Sequence, residues 1–275
     1  MHRTTQKLIG WLFALLLLSK LPAALAGPDA APIYDGAWLV YAQNSEEFDC
    51  EINGYSLSLS GCRIFSLAHA AEWLNREKYG PSFLLQMARE MSPDRGPMRT
   101  SNRSFAPVLA EKGVYLSDIL SVLQQYDAQA VQYSESLLQK AFCDGYVFQY
   151  DAGGHFAVAV DYVYCKASDG DPGVLLPVGD NGQEAPEGCA MYIQILDSQA
   201  AASGGTRENR AFYRQDWYEL RQDALVKRSD PLPRDGLQYW VSYQVFSEKL
   251  NKESWRFAYD AALRGGIWPG HAVSP

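Results

Sequence analysis

Histidine is scarce in this chain. There are four, at positions 2, 69, 155 and 271, and no two stand at a zinc-ligand spacing. No metal or cofactor is expected on that pattern. Basic residues are outnumbered, with 24 Lys+Arg against 32 Asp+Glu. That balance disfavours nucleic acid and anionic membrane surfaces as partners. Long apolar runs are missing after the first 18 residues, so nothing further on can span a bilayer. There is no internal repeat and no low-complexity tract. Gly204-Gly205 lacks the strand–turn–helix setting of a phosphate or dinucleotide loop.

What is present begins with an export signal. Met1–Lys7 is short and basic, Leu8–Leu18 is apolar, and Ala24-Leu25-Ala26 precedes Gly27. These are the three parts of a cleavable secretory signal. An uncleaved anchor is the rival reading, but Lys20 and Pro22 interrupt the run before the roughly 20 residues a span requires. Residues 1–26 are therefore expected to be a signal peptide and the mature protein to be secreted or periplasmic. Three basic residues and no acid leave with it, so the remaining 249 residues carry 21 basic and 32 acidic groups, a net −11. That length suits one domain with decorations.

Export places Cys50, Cys62, Cys143, Cys165 and Cys189 in an oxidising compartment, where thiols tend to pair. Five is odd, so one is left over. The leftover thiol could be reactive or a buried, inert one.

Ala37–Ala42 reads as a strand, and Ser56–Ser60 alternates with period two. From Cys62 the apolar residues recur at helical spacing to about Lys78, where Gly80-Pro81 stops them. Further helices are expected at Pro81–Met91 and Ser117–Tyr126, with a polar loop at Ser92–Arg103. Asn102-Arg103-Ser104 in that loop fits a glycosylation acceptor pattern, a short motif that is mostly fortuitous. The second half is rich in Val, Ile, Tyr and Phe, predicting strands at Tyr146–Tyr150, His155–Cys165 and Ala190–Asp197. A Gly/Pro/Asp-rich loop over 166–188 joins the last two. Trp217–Leu225 suggests a short helix, Tyr239–Phe246 a strand and Ser247–Leu263 a helix. The aromatics Trp217, Tyr218, Trp240, Tyr243, Trp255 and Trp268 read as core. Helices first and an antiparallel sheet second make an α+β fold.

Ser60-Gly61-Cys62 falls where a strand-like segment meets a helix. A thiol there feels the positive end of the helix, which favours thiolate. Free N–H groups at a helix start also suit a developing oxyanion. The same place suits a half-cystine at a helix cap, and the local sequence leaves both open. Among the histidines, His69 lies two turns, about 10 Å, along the same helix and belongs to the core. His271 sits in the tail. His155 follows Gly153-Gly154 and opens a strand, which sets it at the edge of a cleft; a surface histidine in a turn is the alternative. If Cys165 and Cys189 oppose one another across an antiparallel hairpin, opposed residue numbers sum to 354. Ala157 then faces Asp197, and His155 and Asp197 are diagonal neighbours on one face. Asp197 could hold the ring and stabilise its charged form. Asp161, the other candidate, lies roughly 20 Å along the same strand.

Three segments together resemble a papain-like cysteine peptidase of the double-glycine, bacteriocin-processing branch. They are Ser60-Gly-Cys-Arg-Ile-Phe-Ser-Leu-Ala-His-Ala-Ala-Glu-Trp-Leu74, Gly153-Gly-His-Phe-Ala-Val-Ala-Val160 and Ile193-Gln-Ile-Leu-Asp197. The resemblance covers roughly residues 40–200. It implies a helical half, with the cysteine at a helix N-terminus, packed on an antiparallel β-sheet. It also implies a single domain over 27–275 with a C-terminal extension. By it Cys62 is nucleophile, His155 general base and acid, and Asp197 the orienting residue. The implied activity is hydrolysis of a peptide or other amide substrate through a thioester. An acyltransferase using the same triad, or a non-catalytic binding module, are the alternatives. The resemblance further implies Cys165–Cys189 and Cys50–Cys143 disulfides, with Cys62 left as the thiol. The sequence departs from the family in two ways: the spacing from His155 to Asp197 is lengthened by the 166–188 loop, and one expected residue is missing. A glutamine that donates to the oxyanion usually stands about six residues before the cysteine; here Ser56 does. Gln43, Asn44 and Asn53 are off that spacing, so backbone N–H groups are the expected donors.

Overall fold

The computed structural model describes residues 39–91, 101–151, 155–166, 173–176, 185–198, 217–221, 224–228, 237–249 and 262–265. The proposed signal 1–26, the glycines at 153–154, Trp255, Trp268 and His271 lie outside them. Helices and antiparallel strands are combined in an α+β arrangement.

The first strands, β1 (Glu51–Ile52) and β2 (Tyr55–Ser56), form a small hairpin of their own. Ser56 does not continue as a strand. Its side chain accepts from the Leu59 N–H and caps a one-turn helix α1 (Leu57–Ser60). Alternation of Ser and Leu misled the strand reading here, because a serine at an N-cap satisfies a helix start directly. Ala37–Ala42 is not a strand where it is described. After Gly61 comes α2 (Cys62–Asn75), ended by Arg76 in the left-handed region at φ 55°. Then follow α3 (Pro81–Arg89), a 3-10 turn at Asn102–Phe105, α4 (Ala106–Ala110), β3 (Val114–Ser117), α5 (Ile119–Gln124) and α6 (Glu135–Cys143). The helix α6, capped by Ser134, buries Leu137, Leu138, Ala141 and Phe142 at helical spacing, a periodicity the sequence does carry.

The main sheet holds β3, β4 (Tyr146–Asp151), β5 (Phe156–Lys166), β6 (Gly173–Leu176), β7 (Ala190–Asp197), β8 (Trp217–Arg221), β9 (Ala224–Arg228), β10 (Leu237–Ser242) and β11 (Ala262–Gly265). Helix α7 (Tyr243–Lys249) follows β10 directly. The helix expected at Trp217–Leu225 is thus a hairpin. The strand expected over Tyr239–Phe246 gives way to helix at Tyr243, and Ala262–Gly265 is strand rather than helix. These short segments are decided by available sheet edges, not by local propensity. Every pairing is antiparallel. The run β5–β6–β9–β8–β10–β7 returns to β5 and closes on itself.

The sheet has an apolar cluster on each face. Phe148, Ala157, Ala159, Tyr162, Ile193, Ile195 and Tyr239 pack with α5, α6 and α7. Val147, Val158, Val160, Leu196 and Leu263 pack with α2, α3 and α4. Every α2 residue from Cys62 to Leu74 is buried, as a helix enclosed on all sides requires. Its polar residues Arg63, Ser66, His69 and Glu72 recur every third position. Each must therefore find partners inside the protein.

The β5–β7 register matters for the site. At one end Val158 faces Leu196 and Ala159 faces Ile195, which is the 354 register. A bulge between Ala159 and Asp161 shifts the rest by one residue, so Cys165 faces Ala190, not Cys189. A one-residue slip turns side chains to the other face, and Cys189 packs on the face covered by α5–α7. Cys50 belongs to the opposite cluster from Cys143. Neither expected bridge is formed, and no disulfide is present among the described residues.

Candidate active site

Gly61 joins α1 to α2 with φ −82° and ψ 0°, so the two helices run on almost without a break. A side chain at this position would collide with the Leu57 carbonyl oxygen and lie 2.7 Å from Leu57 Cδ1. Glycine is required there by close approach, not by a positive φ. The turn of helix before Cys62 also means that the thiol does not stand at an isolated helix N-terminus. The groups that favour its charged form are instead His155 and the Phe156 backbone N–H.

His155 stands immediately before β5, and Asp197 ends β7. The 354 register, continued one residue beyond its last described pair, sets Asp197 beside Ala157 and within reach of His155. His155 Nε2 and Asp197 Oδ1 are 2.6 Å apart. The other imidazole nitrogen is left for Cys62, with which His155 shares a side-chain hydrogen bond. The structure thus brings Cys62, His155 and Asp197 together. Their exposures are 5%, 1% and 0%.

Burial by itself would drive the His155 pKa down. The charge of Asp197, its hydrogen bond, and then the bond and charge of Cys62 outweigh burial and push it up to about 10. For Cys62, burial would raise the pKa. The His155 hydrogen bond and charge and a hydrogen bond from the Phe156 backbone N–H bring it below the ordinary value, with Asp151 working the other way. Both directions favour a thiolate–imidazolium pair.

Three further residues hold this arrangement, and sequence reasoning missed two of them. Tyr239, on β10, donates its hydroxyl to Asp197 Oδ2 at 3.3 Å. It comes from the segment that looked like plain aromatic core, and no local signal marks it. Ser198 donates Oγ to Gln43 Oε1 at 2.9 Å, and Gln43 N–H donates to Ser198 O at 2.9 Å. Gln43 Nε2 donates to Ser58 O at 2.9 Å. The buried glutamine therefore ties the end of β7 to the turn that leads into Cys62. Ser56, at the position where the resemblance expects a glutamine, has its oxygen committed to the α1 cap.

The remaining expected residues fall elsewhere. His69 is fully buried, accepts the Tyr41 N–H at Nε2 over 3.0 Å, and is pushed down to about 3 by burial. It is a neutral core histidine. Asn102 is also fully buried, with its amide bonded to Arg63 and Gln149, so it is closed to glycosylation in the folded chain. No three His, Cys, Asp or Glu side chains among the described residues come together as a metal site. No helix among them is long and apolar enough to cross a membrane. A cavity of about 320 Å³ opens beside β3, between Arg103, Ala110, Tyr115 and Asp118, and involves none of the three site residues.

In comparisons with known proteins, no family model, no curated protein and no solved structure matches the chain.

Proposed function

We propose that this protein is an exported thiol hydrolase that cleaves a peptide or other amide bond through Cys62, His155 and Asp197. The observation that carries the reading is the buried His155–Asp197 contact of 2.6 Å with Cys62 bonded to the same ring. A charge-assisted bond of that length fixes the ring and its tautomer. The Cys62 thiolate attacks the substrate carbonyl carbon, and the His155 imidazolium gives its proton to the departing amine. A thioester on Cys62 results. His155 then takes a proton from water, the hydroxide displaces sulfur, and the acid leaves. Ser56, committed to a cap, does not serve as the oxyanion donor. The papain-like assignment over 27–275 belongs to the same proposal, as does removal of 1–26 on export.

The test uses secreted protein, whose intact mass should start it at Gly27. Iodoacetamide labelling across pH, mapped by mass spectrometry, should find Cys62 the reactive thiol well below the ordinary cysteine range. A panel of peptide and acyl-amide substrates should release amine with wild type and none with Cys62→Ser. A wild-type Cys62 that labels only as an ordinary thiol, or is found in a disulfide, would falsify the reading.

A further inference from the structure

Two residues of the polar stripe on α2, Arg63 and Ser66, enter a buried hydrogen-bonded circuit that begins at the residue after Cys62. Arg63 follows Cys62 directly and is 5% exposed, with its guanidinium carbon 4.0 Å from the centre of the Phe156 ring. Its Nη1 donates to Asn102 Oδ1 at 2.9 Å. Asn102 Nδ2 donates to Gln149 Oε1 at 2.7 Å. Gln149 Nε2 in turn donates to Ser66 Oγ at 2.6 Å and to Arg63 O at 3.1 Å. Ser66 Oγ donates to Arg63 O at 2.9 Å. The circuit closes through buried residues on α2, the 3-10 turn and β4.

Phe156 is the residue whose backbone N–H reaches the Cys62 sulfur. The Arg63 guanidinium thus lies over the ring of the residue whose N–H reaches the thiol, while its Nη1 is held by Asn102. Burying a guanidinium for packing alone is unfavourable, since an apolar side chain of like volume fills the space without desolvating a charge. A planar, forked cation is suited to stacking and directed hydrogen bonding at once, which lysine cannot reproduce.

We propose that Arg63, oriented by Asn102 and Gln149, is a positioning residue that holds the Phe156 peptide against the Cys62 thiolate. This rests on the ion-pair reading of Cys62 and His155. The low thiol pKa then depends on a side chain that itself stays out of the reaction.

The experiment compares wild type, Arg63→Lys, Asn102→Ala and, as a control on the other face of the sheet, Val122→Ala. Each is taken as the full secreted chain, its fold checked by Tm. The readout is the pH dependence of iodoacetamide labelling at Cys62. Arg63→Lys and Asn102→Ala should move the midpoint upward and slow labelling at pH 6 by roughly fivefold to tenfold, up to one pH unit. Val122→Ala should lower Tm and leave the midpoint in place. Should Arg63→Lys fail to fold, Asn102→Ala, which keeps the cation, decides. A wild-type profile in the folded variants overturns the positioning role and leaves the ion pair standing. An ordinary thiol profile in wild type overturns both.

Discussion

Replacing Asp197 with asparagine keeps the shape of the side chain and removes its charge. His155 stands at about 10 in the folded protein against an ordinary 6.5, with Asp197 the largest favourable contributor. At about 1.36 kcal/mol per pH unit, the net rise amounts to roughly 5 kcal/mol, left after the opposing effect of burial has been overcome. Cys62 supplies part of that, and asparagine can still hydrogen-bond the ring. About half, roughly 2–3 kcal/mol, is therefore assigned to the charge, which corresponds to about a 30- to 150-fold fall in the ratio of ion pair to neutral pair, and so to less thiolate at pH 6. The sign runs as follows for each partner. The contribution of His155 to stability is fully present below 6.5 and is lost as pH rises through about 10. That of Cys62 is present above its ordinary 9.0 and is lost as pH falls through its lowered folded value. The ion pair is confined between these limits, and Asp197→Asn should narrow the interval from both sides. The assay is Cys62 labelling by iodoacetamide from pH 4 to 10, with Tm measured in parallel. A folded Asp197→Asn protein that labels within threefold of wild type at pH 6 would refute the argument.

Tyr239→Phe removes one hydrogen bond to Asp197 Oδ2 and should slow Cys62 labelling at pH 6 about threefold to tenfold, for a bond worth about 1 kcal/mol; an unchanged rate would make Tyr239 a packing residue only. Gly61→Ala forces a Cβ against the backbone of Leu57 and should destabilise by roughly 1–3 kcal/mol in denaturant unfolding, whereas a loss under about 0.5 would contradict the close approach. Burial holds His69 down to about 3, so its contribution is complete above 6.5 and is lost as pH falls through about 3. Burial holds Glu72 up to about 7, so its contribution is complete below 4.5 and is lost as pH rises through about 7. Between 4.5 and 6.5 the two slopes oppose each other, and outside that interval each acts alone. Stability of His69→Gln should therefore fall less steeply below pH 4.5 than wild type, and Glu72→Gln should lose the decline near pH 7; urea midpoints across pH 3–8 check both.

Parts of this protein were legible before any coordinates. Tyr146–Asp151, Phe156–Lys166 and Ala190–Asp197 carry β-branched and aromatic residues, and they form strands. Helical spacing from Cys62 is legible and forms the central helix, which ends at Asn75, before the expected Gly80-Pro81 stop, because Arg76 turns into the left-handed region. The His155–Asp197 contact was reached through a premise that fails. The supposed Cys165–Cys189 opposition yields the right register near His155, yet the bulge at Ala159–Asp161 breaks it before the cysteines. A bulge changes which face a whole half-strand presents, and no local residue pattern here announces it. The segment 217–242 shows the same limit. Trp217–Arg221 and Ala224–Arg228 lack strong alternation, and they become strands because each completes the hydrogen bonding of the other.

The sequence by itself determined the elements whose periodicity repeats every two to four residues. It also determined which residue types could serve as nucleophile, base and orienting acid, and in what order along the chain. Tertiary structure alone decided the β5–β7 register at the site, the approach of Tyr239 to Asp197, and the Arg63–Asn102–Gln149 circuit beside the thiol. The physical reason is distance along the chain. A helix or strand records its own neighbours in its pattern. A hydrogen bond between residues tens of positions apart exists only after packing has chosen which faces meet, and that choice is made by the whole buried interior at once.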